Sequence, residues 1–270
     1  MIKIDKQYEN YGLKLGGISP LDYKWGTLSG ATINQNGDWT DYLPIYEPQM
    51  FSSGEDPDGC HIWGTQNCLE TYLKLLTNKN YNFSERVVYI GTNSTKGGGD
   101  PFQSGEWMRK NGVVDEEVLP MTTNYADYIV PNPLPQYILD RCRLFIDEFE
   151  IKQEYVWNDL YYPLTLIEKQ SRVTEALKLS PLGVSVPAWV MDSDGNYFRP
   201  AGMQDNHWCM LFKETESVYY IFDSYDQSIK TVRKDINPMV CIRYQLSYKQ
   251  LQKKTWWSRI IAWIKHIYEL

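Results

Sequence analysis

From residue 180 onward the chain breaks into short runs rich in Val, Ile, Tyr and Trp: VSVPAWV, HWCMLF, SVYYIFDSY, IKTVR and MVCIRYQL. β-branched and aromatic side chains suit a pleated, half-buried surface, and DSDGN, KETE and Pro238 supply the breaks between runs. Such a pattern predicts a small antiparallel sheet or barrel. No parallel βαβ alternation and no fixed-period repeat accompanies it.

The first half has a different texture. Within 60–77, CHIWGTQNCLETYLKLLT, apolar or small residues fall at 62, 65, 69, 72, 73 and 76, near helical spacing, with DPDG just before as turn and cap. A helix therefore begins at or beside Cys60. Further helices are predicted over 102–111, ended by Gly112, and over about 135–150, where Ile138, Leu139, Cys142, Phe145, Ile146 and Phe149 recur. Residues 1–48 alternate Gly, Pro, Asn and Asp with aromatics and read as a wrapping arm. The expected class is α+β, with a helical lobe over 49–134 and a β lobe over 135–248 facing each other across a cleft. The β lobe includes an inserted helix at about 135–172. A C-terminal amphipathic basic helix, 249–270, carries Trp257, Ile260, Ile261, Ile264, Ile267 and Tyr268 on one face. It is expected to dock on its own domain or on a protein partner, with a membrane surface or an anionic partner as the alternative.

Composition excludes several classes. With 270 residues, 43% hydrophobic, 14% aromatic and 23% charged, the chain is neither disordered, collagen-like nor a coiled coil. Its net charge of −7, from 27 Lys+Arg against 34 Asp+Glu, argues against nucleic acid as a partner. No apolar leader opens the sequence and no apolar run reaches roughly 18 residues, so neither signal peptide nor membrane span is predicted, and synthesis in the cytoplasm is expected. Five widely spaced cysteines with no CxxC pair, and three histidines, make a poor disulfide scaffold and a poor zinc site. No metal or cofactor is expected.

Cysteine chemistry needs a thiolate, and a helix start favours negative charge through its free N–H groups and dipole. Cys60 is placed that way. His207, opening HWCMLF, is the best-placed base, and Asp223, sixteen residues on at the end of VYYIF, could reach it across a hairpin and fix its tautomer. Cys68, two helical turns after Cys60, is a second thiol on the same face but lacks the dipole advantage. Cys142, Cys209 and Cys241 fall in apolar stretches and read as core. His61 reads as a surface residue, because neighbouring side chains on a helix diverge, with a second base as the alternative.

Other positions line up with these in order. Glu70 follows Cys60 by ten residues; Gly98, Gly99, Asp100, Pro101 and Phe102 come next; EWMRKNGVVDEEVLP runs to Pro120; GVSV stands at 183–186; Asn206 precedes His207; Asp223-Ser224-Tyr225 closes the set. Over about residues 39–248 the chain resembles the papain family of cysteine peptidases, and more closely the papain-like proteins encoded by tailed bacteriophages. The resemblance implies a papain-like two-lobe fold and a thiol hydrolase cleaving peptide or isopeptide bonds through Cys60, His207 and Asp223. It also implies that the Gly98–Gly99 backbone, with Asn206, binds an extended polypeptide substrate.

Departures stand beside the matches. The family's oxyanion glutamine lies six residues before the nucleophile, where this chain has Gly54; Gln49, eleven before, is either its substitute or a solvated loop residue. His61 replaces a Trp, Asp223 an Asn and Tyr225 a Trp. Glu55, Asp56 and Asp58 crowd the nucleophile loop and oppose thiolate formation if they point inward. Pro57 and Gly97 stand where the family's secreted members have disulfide cysteines, which fits a reducing compartment. The alternative function is a catalytically weak or inactive papain-fold structural or binding protein of a phage particle; Tyr and Trp, 31 of the 39 aromatics, suit protein contacts.

Overall fold

The protein is described by a computed structural model at residues 13–16, 23–28, 32–225 and 229–249. Two strand residues, β1 (Tyr23–Lys24), precede the long helix α1 (Cys60–Thr77). Every residue of α1 from Cys60 to Leu73 is buried, so this helix is enclosed on all sides, and it ends on Asn78 in the left-handed conformation. Around it lie α2 (Glu85–Gly91), capped by Ser84; α3 (Pro101–Asn111), capped by Asp100 with proline in its first turn; and the single turn α4 (Tyr125–Tyr128). Then come α5 (Gln136–Glu148), β2 (Phe149–Asn158) and α6 (Leu166–Leu177), the last opened by a Thr165/Glu168 capping box. The stretch 135–172, expected as an inserted helix, is thus helix, strand and the start of a second helix.

Five strands follow, one for each predicted run: β3 (Leu182–Val186), β4 (His207–Glu214), β5 (Val218–Phe222), β6 (Ile229–Arg233) and β7 (Val240–Tyr248). One seven-stranded sheet results, ordered β1-β2-β7-β3-β4-β5-β6, antiparallel throughout except for the short β1–β2 pair. β2 was not foreseen as a strand, yet it pairs with β7 along its whole length, from Phe149 opposite Tyr248 to Asn158 opposite Val240. The arrangement is α+β, as expected.

Packing of α1 on the sheet is unusually close at one point. A Cβ added at Gly64 would lie 2.7 Å from Trp208 Cδ1 and 3.0 Å from the Cys209 Cα, so glycine lets the helix rest directly on the β4 backbone. Buried aromatics fill the remaining volume, with Trp39 stacked on Tyr72 and Tyr128 set among Phe51, Trp63 and Tyr89. The arm is tied to this body: Trp39 Nε1 donates to the Leu177 carbonyl at 2.8 Å, and Lys14 N donates to the Gly99 carbonyl at 2.8 Å. Of the C-terminal segment 249–270, expected as an amphipathic helix, residues 250–270 lie outside the described residues. Among the described residues no helix is long and apolar enough to cross a membrane.

Candidate active site

Sheet register brings the chemistry-bearing residues together. In β4 and β5, Met210 lies opposite Phe222, so Asp223 falls diagonally across from His207 on the same face. His207 Nε2 and Asp223 Oδ1 are 2.6 Å apart, and both side chains are fully buried. Asp223 Oδ1 also accepts from the Ser224 N–H at 2.9 Å. Burial raises the Asp223 pKa, but His207 and the buried ammonium of Lys230 outweigh it and hold the carboxyl below its ordinary value. Trp189 and Tyr225 set their rings edge-on to the imidazole, with centroids at 5.7 and 5.3 Å.

Cys60 is the first residue of α1, and the preceding cap position is Gly59, which offers no side-chain bond, so no side-chain cap engages the first-turn N–H groups. The Trp208 backbone N–H acts on the Cys60 thiol and favours its ionised form, which places the thiol near the residue that follows His207. Burial pushes the thiol pKa well above its usual value; the Trp208 N–H opposes this, while the charges of Asp56, Asp223 and Asp58 add to it. Cys60 has no exposed surface.

Gln49 bridges the two sides. Its backbone N–H donates to the Ser224 carbonyl at 2.9 Å, its Oε1 accepts from Ser224 Oγ at 3.1 Å, and its Nε2 donates to Asp56 Oδ1 at 2.7 Å and to the Tyr225 hydroxyl at 3.2 Å. It is fully buried, so it is not a solvated loop residue. Asp56 Oδ1 also accepts from the Asp58 N–H at 2.7 Å. Burial raises the Asp56 pKa to about 6, against these hydrogen bonds.

Solved structures share this arrangement of helix and sheet. The digestive procathepsin L 3 of Tenebrio molitor larval midgut is 11% identical with a TM-score of 0.56, covering 88% of this chain and 76% of that one. Bromelain protease from Ananas comosus is 15% identical with a TM-score of 0.55, covering 78% and 98%. A Carica candamarcensis cysteine protease is 11% identical with a TM-score of 0.55, covering 77% and 96%. The chain has the papain-like fold. No protein-family model and no curated protein sequence matches it.

Within this papain-like frame the other expected positions have definite surroundings. Glu70 is buried, accepts from the Phe83 N–H at 2.7 Å, and is pushed well above its ordinary pKa by burial. The Gly98 N–H donates to the Thr95 carbonyl at 3.2 Å, and the Gly99 carbonyl is taken by Lys14, so part of the glycine backbone is already paired with the arm. Asn206 Oδ1 accepts from the Ala188 N–H at 2.8 Å, joining the two loops that flank His207. The Gly97 N–H donates to Asp58 Oδ2 at 2.6 Å, tying the glycine loop to the loop that precedes Cys60.

His61 corrects the sequence expectation. It is not a surface residue: α1 is covered all round, His61 Nδ1 lies 2.7 Å from Ser104 Oγ, and the ring packs so tightly on Gly99 that a Cβ there would come within 2.5 Å. Burial, helped by the Lys14 charge, lowers its pKa to about 3. All five cysteines are free and buried. Among the described residues no group of three or more His, Cys, Asp or Glu side chains could hold a metal ion.

Sequence reasoning missed Lys230, whose Nζ lies 2.8 Å from Asp223 Oδ2, and Trp189. Lys230 could have been found from its phase: it is two residues from buried Val232 in a strand of five.

Proposed function

We propose that the protein is a papain-like thiol hydrolase that cleaves peptide or isopeptide bonds. The contact that carries the reading is His207 Nε2 on Asp223 Oδ1, beside a cysteine that opens a helix. With Nε2 held by the carboxylate, Nδ1 is the nitrogen for proton transfer. Cys60 Sγ attacks the substrate carbonyl carbon and its proton passes to His207. The C–N bond then breaks, His207 gives the proton to the departing amine, and water cleaves the remaining thioester. Gln49 is the side-chain donor for the oxyanion, worth about 3 kcal/mol in such sites once its amide is released from Asp56. Gly98 and Gly99 receive the substrate as an added strand, with Asn206 holding the adjoining loop.

Turnover of a peptide library by the full chain tests this. Cys60→Ala is expected to remove turnover completely and His207→Ala to lower it at least about a thousandfold. Turnover unchanged in Cys60→Ala sinks the reading.

A second reading is favoured by one observation: Cys60, His207 and Gln49 are all buried, and the Gln49 amide is already engaged. On this reading the chain is an inactive papain-fold structural or binding protein. A phage-encoded source rests on the sequence resemblance, and stoichiometric copies in purified virions with no turnover would favour this second role. A protein partner for segment 249–270 belongs to the same proposal, tested by loss of binding on its removal.

A further inference from the structure

Asp223 stands where an uncharged Asn would place no charge against the imidazole. A carboxylate does place one there. Unbalanced, it would hold the proton on His207, where the departing amine needs it released, and it already opposes ionisation of Cys60. The chain places a cation against it. Lys230 lies opposite Ile221 in the β5–β6 pairing, which puts it diagonal to Asp223 on the same sheet face. Its Nζ is 2.8 Å from Asp223 Oδ2, and neither side chain has exposed surface. The ammonium also donates to the Tyr225 carbonyl at 2.9 Å and sits 5.2 Å from the Trp189 ring centroid. A buried ammonium requires such partners, since taking an isolated charge out of water is strongly unfavourable.

We infer that Lys230 is a positioning residue of this site: with Asp223 it forms a charge-neutral pair that orients His207 as an uncharged acceptor would. The inference rests on the hydrolase reading for its role in turnover, but its electrostatic content is measurable without turnover.

The ionisable groups facing His207 are Asp223 and, behind it, Lys230; Asp56 and Cys60 on the nucleophile side; and Tyr225. NMR titration of the His207 ring in the full chain reads their balance. Removing the cation in Lys230→Met should move the His207 midpoint up by about one pH unit or more. Asp223→Asn alone should move it down, and the double variant Asp223→Asn/Lys230→Met should return it near the parent. An unmoved midpoint in Lys230→Met overturns the inference. Should that variant fail to fold, Asp223→Asn and the double variant decide: a double variant titrating about one unit above Asp223→Asn supports it, and coincident midpoints overturn it. Peptide turnover is scored separately. Cys60-independent turnover defeats the hydrolase reading without touching the titration, whereas unmoved midpoints with Cys60-dependent turnover defeat only the role of Lys230.

Discussion

Gln49 donates its amide to Asp56 at 2.7 Å, so an internal carboxylate takes the bond that a reacting carbonyl oxygen would need. The same carboxylate opposes the Cys60 thiolate. Asp56→Ala should release the amide and remove the opposing charge together. Alkylation of Cys60 at pH 7.5, followed by mass spectrometry of its peptide, is expected to rise several-fold over the parent while Cys68 stays slow; equal rates in the two proteins would show that Asp56 does not restrain Cys60.

Asp56 also sets a pH dependence of stability. Its folded pKa, about 6, lies above the unfolded value near 3.8, so the folded state binds the extra proton. The associated stability is present below about pH 4 and is lost as pH rises through about 6. Asp56→Asn should therefore gain melting temperature over the parent at pH 7.5 and little at pH 4.5. Thermal melts at the two pH values check this.

His61 works in the opposite direction. Its folded pKa of about 3 lies below the unfolded value of 6.5, so its stability is present above about pH 6.5 and is lost as pH falls toward 3. Between pH 7.5 and 4.5 this single buried group should cost about 2 to 3 kcal/mol. His61→Asn should flatten that acid limb in urea unfolding; a slope equal to the parent's would show that the ring is protonated without penalty.

Gly64→Ala sets two effects against each other. Alanine is the better helix former by about 1 kcal/mol, but its Cβ would meet the Cys209 Cα and the Trp208 carbonyl, both at 3.0 Å, and backbone cannot rotate away. Overpacking should win, with a net loss of about 1 to 2 kcal/mol in guanidinium unfolding. Turnover should fall further than stability, because the shift separates Cys60 from β4.

Arg243 and Glu154 form a buried ion pair between β7 and β2, and both hold the arm at Leu28, the Arg by its carbonyl at 2.9 Å and the Glu by its N–H at 3.0 Å. Arg243→Met strands a buried carboxylate and should cost about 3 to 5 kcal/mol, whereas Glu154→Leu/Arg243→Met should recover most of it. Chemical unfolding of both variants measures the difference.

These particulars mark how far the sequence could be read. The start of α1 at Cys60 was legible because DPDG and the apolar spacing agree, and the His207–Asp223 contact followed from a hairpin between two apolar runs. β2 was not legible: in FEIKQEYVWN the charges at Glu150, Lys152 and Glu154 alternate with Phe149, Ile151 and Gln153, yet Glu154 is buried as well, because Arg243, 89 residues away, stands opposite it. Lys230 was legible as inward-facing from its phase with Val232, but its partner was not, because Asp223 lies on the neighbouring strand. His61 was misread because nearest-neighbour divergence on a helix predicts exposure only when one face is wet, and α1 has none.

A thiol without exposed surface separates two rates that reagents ordinarily report as one. Any electrophile reaches Cys60 only in the fraction of molecules whose covering loops have parted, so the observed speed is that fraction multiplied by the intrinsic attack rate. Panels of small thiol-directed compounds would then rank this protein by how often it breathes. Gentle warming or sub-denaturing urea should accelerate capture well before the fold melts, the opposite of what a preformed open groove would give.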